Sequence, residues 1–211
     1  MTHELIKNRR QLLFTQARQV GYLVVLCLTV LLQWKLADIY KSDLIIEHGV
    51  IENTQSGILL LAALSLFAQA CLNRSYRSLM LLLASLTLAA CIREQDAWLD
   101  ECIPYVGWQF AWVFPISAAC YAMRDWRGCL RQLTEFLRSN SFGMMMTALT
   151  IIIPVAQLLG HRSYLNDLIN DPDINASIVR RALEEPIEMI GYVQILLATA
   201  EFHIEQWLDR H

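Results

Sequence analysis

The sequence predicts an all-α, polytopic membrane bundle, and three observations carry that prediction. First, hydrophobic residues fill 55% of the 211 positions, and mean hydropathy is +0.36. Second, the apolar residues gather into six runs, 19–37, 54–72, 78–97, 104–123, 142–160 and 186–204. Each run is close to the roughly 20 residues a helix needs to cross the hydrocarbon core. Third, the runs are rich in Leu and Ala and too long for strands, so they read as six transmembrane helices. No long polar stretch separates them, and residues 1–211 therefore read as a single integral membrane domain with short loops.

The elements follow in chain order. Residues 1–18 carry Lys7, Arg9, Arg10 and Arg18 among Leu5, Leu12 and Leu13, the pattern of an N-terminal helix at or leading into the inner surface. No small-x-small cleavage pattern follows the first apolar run, so Val20 to Lys35 reads as a retained span rather than a signal peptide. Spans two and three are joined by the short turn Asn73–Arg77. They carry Ala62, Ala63, Ala68, Ala70, Ala84, Ala89 and Ala90, small residues that allow a tight antiparallel hairpin. Pro115 and Pro154 fall inside spans four and five, where a missing backbone donor bends a helix and shapes the bundle. Residues 124–139 predict a second interfacial helix. Trp126, Leu130, Leu133 and Leu137 are spaced 4, 3 and 4, one apolar face, while Arg124, Arg127, Arg131 and Arg138 lie largely off it. Trp126, Arg127, Leu130, Arg131, Leu133 and Leu137 would form a membrane-surface anchor drawn to an anionic inner leaflet. Pro186 fits a first-turn position, so the plain alternative to a site role for Glu185 is a start signal for the last span.

Charge sets the expected orientation. With the N-terminus inside, Lys7, Arg9, Arg10, Arg18, Arg74, Arg77, Arg124, Arg127, Arg131, Arg138 and Arg210 fall on the cytoplasmic side, 11 of the 17 basic residues. By the positive-inside rule both termini are then cytoplasmic. Aromatic residues support the register: Trp34, Tyr40, Trp98, Tyr105 and Trp108 mark the outer boundary, and Tyr76, Tyr121, Trp126 and Trp207 the inner one. The acids show the opposite bias, with 14 of 20 on the outer side.

That outer excess contains the candidate site. Glu52 opens span two. Arg93, Glu94 and Asp96 directly follow the apolar run Leu79–Ile92, and on a continuous helix Arg93, Asp96 and Asp100 share one face. Arg180–Glu184, Arg181–Glu185 and Glu184–Glu188 are helical neighbours at i,i+4. If these ends converge, Arg93 and Arg181 offset part of the acid charge, and the remaining carboxylates hold protons or a cation. The candidate ligand- or ion-binding residues are Glu52, Arg93, Glu94, Asp96, Arg181, Glu185 and Glu188. The competing reading is structural ion pairing between helices.

Other chemistries lack a local signature. None of His3, His48, His161, His203 and His211 pairs with another at i+3 or i+4, so there is no local zinc motif. His48 and His161, in outer loops, are the histidines placed to join the acids around a metal. The six cysteines form no CxxC and read as small apolar residues. No GxSxG, Ser-x-x-Lys or glycine-rich phosphate loop occurs, and no cofactor is indicated. A net charge of −3 carries no nucleic-acid signal. The expected partners are the lipid bilayer and either a second copy or another membrane protein.

Arg93-Glu94-x-Asp96 and Glu184-Glu185-x-x-Glu188-x-x-Gly191-Tyr192 together resemble a loosely defined group of small bacterial six-span inner-membrane proteins with an acid-rich outer end. The resemblance implies a bacterial inner membrane and implies no activity. Glu52-Asn53-Thr54-Gln55-Ser56 is similar to a segment of the alkaline ceramidase-like membrane hydrolases, whose zinc is held by three histidines. This chain departs from that pattern, with Trp207 four residues after His203. The leading expectation is a non-enzymatic membrane protein that binds or relays a cation, proton or small polar ligand in transport or sensing. The alternatives are an accessory subunit of a membrane complex and a membrane-embedded metal-dependent lipid hydrolase.

Overall fold

The structure is a computed structural model that describes residues 2–40, 50–102, 107–159, 161 and 176–208. Among these the chain is helical and contains no strand. Five helices are long and apolar enough to cross a membrane.

Helix α1 (Thr2–Tyr40) runs without a break through the basic N-terminal segment and the first apolar run. Of the two expectations for residues 1–18, the helix leading into the first apolar run is the one that forms, as the first part of one 39-residue helix. Neither Pro nor a turn signal interrupts it, so nothing in the sequence ends the backbone ladder there. Helix α2 (Val50–Leu72) and helix α3 (Arg77–Arg93) form the expected antiparallel hairpin, joined by a 3-10 turn at Arg74–Tyr76. Asn73 caps that turn by accepting from the Ser75 N–H. Ala62, Ala63, Ala70 and Ala84 are buried, as close approach requires.

Glu94 and Gln95 then form a turn, and a short helix α4 (Asp96–Cys102) begins. The single face expected for Arg93, Asp96 and Asp100 is therefore broken, because Arg93 ends one helix and Asp96 starts another. The fourth apolar run appears as a 3-10 turn (Trp108–Trp112) followed by α5 (Val113–Met123). Pro115 sits in the first turn of α5, where its missing N–H leaves no hydrogen bond unmade, so it starts this helix instead of kinking it. Gly107 precedes the 3-10 turn with φ of 53°, a left-handed conformation that favours glycine.

Helix α6 (Trp126–Phe136) is amphipathic as expected, but the face it packs on the bundle is not its leucine stripe. Trp126, Leu130, Leu133 and Leu137 are exposed, whereas Gly128, Gln132 and Phe136 pack on the bundle. Gln132 accepts a hydrogen bond from the Leu79 N–H near the start of α3 at 3.0 Å, one of the donors a helix start leaves unpaired. Helix α7 (Asn140–Thr150) leads into a π-helical segment, Ile151–Ala156, which contains Pro154, and then a short α8 (Gln157–Leu159). The proline thus coincides with a local change of helical pitch rather than a break in the span.

The last helix, α9 (Ala176–Leu208), organises the fold. Across its apolar span 61% of residues are buried, against 6% for α1. It packs on α2, α7, α1 and the π-helical segment. Pro186 lies inside this helix, ten residues from its start, and does not begin it. The reading of Glu185 as a start signal is corrected accordingly. An Arg180–Glu184 pair supports the turn before the proline, and the carbonyls of Glu185 and Pro186 accept side-chain hydrogen bonds from Gln55 at 2.9 Å and Gln33 at 3.3 Å. Outside helices thus brace the stretch where a proline removes an internal bond.

The core has two main clusters. One joins Leu66, Met80, Ala84, Phe136 and Phe202, with edge-to-face rings at Phe136–Phe202 and Tyr76–Phe202. The other joins Leu59, Ala62, Ala148, Ile152, Tyr192 and Ile195. Hydroxyls within the apolar helices fold back onto their own backbone, as Thr29, Thr87 and Thr199 do onto the carbonyl four residues earlier.

Candidate functional site

The start of α2, the α3–α4 junction and the first half of α9 meet at one end of the bundle. They enclose a cavity of about 320 Å³. All seven sequence candidates, Glu52, Arg93, Glu94, Asp96, Arg181, Glu185 and Glu188, line it. The hairpin sets this convergence: Gln95 Nε2 donates to Ser56 Oγ at 2.7 Å and Cys91 Sγ donates to the Ser56 carbonyl at 3.3 Å, fixing the end of α3 against the start of α2.

Arg93 is the hub. Its Nη2 lies 2.8 Å from Glu94 Oε1 and 3.7 Å from Glu188 Oε1. Tyr192, buried in the core of α9, donates its hydroxyl to the same Glu94 oxygen at 2.7 Å. The Glu94 and Glu188 side chains are 8% and 7% exposed, whereas Arg93 is 42% exposed. Gln157, at the start of α8, donates to Glu188 Oε1 at 3.3 Å and to Glu184 Oε1 at 3.4 Å. Two nearly buried carboxylates therefore share one guanidinium, supplemented by neutral donors. Glu185 contributes a further carboxylate oxygen, Oε2, that is buried and has no hydrogen-bond partner among the described residues.

Six acids line the cavity (Glu52, Glu94, Asp96, Glu184, Glu185 and Glu188) against three arginines (Arg93, Arg180 and Arg181), so its wall carries a formal excess of three negative charges. Such a wall attracts cations and repels anions.

Tyr192, Gln157, Arg180, Glu184 and Trp108 also belong to this wall or its hydrogen bonds but were not among the sequence candidates. Tyr192 and Gln157 each stand within or beside an apolar run, and a lone polar group there is the signal that marks them. His161 is exposed and does not line the cavity. His48 lies outside the described residues. Among the described residues no three His, Cys, Asp or Glu side chains converge as a metal ion would require.

A second charged group lies near the opposite end of α9. Glu201 is fully buried, accepts from Arg18 Nη2 at 2.8 Å and from the Tyr22 hydroxyl at 2.6 Å. Arg18 and Tyr22 lie one turn apart on α1, so these bonds hold α1 to the bundle. Nearby, Ser65 Oγ and His203 Nε2 are 2.9 Å apart. Sequence reasoning placed Arg18 only in the charge count and missed this tie, although Glu201 is a carboxylate inside the last apolar run.

The side chains expected to form the membrane-surface anchor are exposed. Trp126, Leu130, Leu133 and Leu137 are exposed along α6, with Arg127 stacked 5.8 Å from the Trp126 ring centre and Arg131 exposed beside them. No protein-family model, curated protein or solved structure matches the chain.

Proposed function

We propose that this chain is a six-span membrane protein with both termini cytoplasmic, and that the cavity at the outer ends of its helices binds or relays a cation. The fourth span comprises the 3-10 turn and α5 with the residues preceding them. The observation that carries the reading is the shared guanidinium: Glu94 and Glu188 are both nearly buried, and among the described residues Arg93 is the one cation paired with either. Burying a carboxylate without a full counter-charge costs several kcal/mol. A proton or a cationic ligand supplies the missing charge. Arg93 holds the site together, Tyr192 and Gln157 orient the carboxylates, and Glu52, Asp96, Arg181 and Glu185 shape the entrance. Proton relay, transport and sensing all use this one property, a buried carboxylate that alternates between two partners. The bacterial inner membrane implied by the sequence resemblance supplies a compartment where such a site would face the exterior.

Ligand-dependent thermal stability in detergent tests the reading. A cation that binds the native state stabilises it by about 2.7 kcal/mol at one hundred times its Kd. The wild type should gain stability with protons or with a small amine or alkali cation series, and Glu188→Gln should lose that response while remaining folded. An equal response in the two proteins would sink the assignment.

A second reading, an accessory subunit, is favoured by the same ion pairs seen as ties between helices, Arg93–Glu188 joining α3 to α9. It expects no ligand response and a partner that co-purifies. The lipid-hydrolase alternative requires a metal site; of its two candidate histidines, His48 lies outside the described residues and His161 does not line the acidic cavity.

A further inference from the structure

A cavity of about 940 Å³ lies at the opposite end of the bundle from the acidic site. Its wall combines Arg18, Arg138, Glu135 and Glu205 with Phe14 and Phe202. The charges are unequally committed. Glu205 accepts from the Asn140 N–H at 3.0 Å and from Ser141 Oγ at 2.7 Å, so the N-terminus of α7 takes both of its oxygens and offsets its charge. Arg18 gives one nitrogen to Glu201, its buried Nε and Nη1 have no hydrogen-bond partner among the described residues, and its guanidinium lies 4.9 Å from the Phe14 ring centre. Arg138 makes no ion pair among the described residues. Glu135 receives the Tyr76 hydroxyl on Oε2, at 2.6 Å. Among the described residues, what faces a ligand is the Arg138 cation and the exposed Glu135 carboxylate, beside aromatic rings.

The position matters as much as the charge. Under the membrane reading of the preceding section, this end lies at the inner boundary, level with the exposed apolar stripe of α6. The cavity is walled on one side by α1, which is scarcely buried and packs chiefly on α9. A crevice beside such a helix is open to lipid.

We propose that this cavity holds the head of an inner-leaflet phospholipid that carries a primary ammonium group. The phosphate meets Arg138, the form of contact a guanidinium makes best, with Arg18 in the wall behind it. The ammonium donates to Glu135. Phe14 and Phe202 meet the glycerol and the upper acyl chains. The site depends on the membrane placement but not on the acidic cavity at the other end.

Native mass spectrometry on protein reconstituted into nanodiscs with equal amounts of ethanolamine-, choline- and glycerol-headed phospholipids tests this. The wild type should retain the ethanolamine lipid preferentially. Arg138→Ala should reduce its retention about tenfold, the loss of one charge-assisted contact of about 1.4 kcal/mol. Glu135→Gln should shift preference toward the glycerol-headed anionic lipid. Both positions are exposed, and unchanged melting confirms folding. Glu188→Gln should retain the lipid as the wild type does, which separates this proposal from the outer site. Equal retention of all three lipids, equal retention by Arg138→Ala, or displacement by the tail-less glycerophosphoethanolamine at matching concentration would overturn it.

Discussion

At the scale of single residues, the molecule is defined by where it allows charge. Arg93 serves two carboxylates at one end of α9, and Glu201 is served by one arginine and one tyrosine at the other. The difference is chemical. Glu201 has a counter-charge and a neutral donor of its own, so it is a satisfied structural tie. The Glu94–Glu188 pair is short of a positive charge, so it is a site. Removing one partner of a buried ion pair costs about 3–5 kcal/mol. Arg18→Ala should therefore lower stability by that order in denaturation measurements, and Arg18→Met with Glu201→Leu should recover most of it, because the double replacement leaves no orphaned charge. If Arg18→Ala melts like the wild type, α1 is held by something other than this pair. These residue roles were partly legible. Arg93, Glu94 and Asp96 abut an apolar run and drew attention as misplaced charges. Tyr192 entered only as part of the motif ending in Gly191-Tyr192 and Gln157 not at all, because an aromatic or an amide within or beside an apolar run is as often a boundary residue as a ligand.

At the scale of elements, α9 is held closely against α7 and its π-helical continuation. A Cβ on Gly191 would collide with Ile152 Cγ1 and lie 2.9 Å from its Cδ1, so glycine here permits close helix approach. Gly191→Ala should destabilise the bundle by about 1–3 kcal/mol, the usual cost of overpacking. Ile152→Ala in that background should return part of the loss, since contacting residues couple. Strict additivity of the two changes would show that the helices do not meet there. The proline in α9 makes the same point in reverse. Sequence convention reads a proline near a charged stretch as a helix start, yet Pro186 lies inside a 33-residue helix. Gln55 and Gln33 reach the adjoining carbonyls from α2 and α1, and that support is tertiary, so local sequence does not announce it.

At the scale of the whole molecule, the charge asymmetry and the two cavities lie along one axis, acidic and cation-attracting at one end, mixed and aromatic at the other. The proposed orientation can be tested directly. In a cysteine-free background, a cysteine replacing exposed Asp96 should react with an impermeant maleimide on intact cells. One replacing Arg127 on α6 should react only after the membrane is opened. The reverse pattern would invert the bundle and move the acidic cavity to the cytoplasm.

Composition and periodicity alone determine the helical class, the hairpin of α2 and α3, the amphipathic α6 and the collection of acids toward one set of helix ends. Each of these follows from apolar run length, small-residue spacing or charge position, which are local properties of the chain. Tertiary structure alone decides that the seven candidate residues share one cavity, that two carboxylates divide a single guanidinium, and that Arg18 reaches Glu201 across 183 positions. The reason is physical: the cost of a buried charge depends on which groups surround it in space, and side chains that neutralise or orient it arrive from other helices. A sequence shows the charges that need an explanation. Only packing shows which of them have a partner.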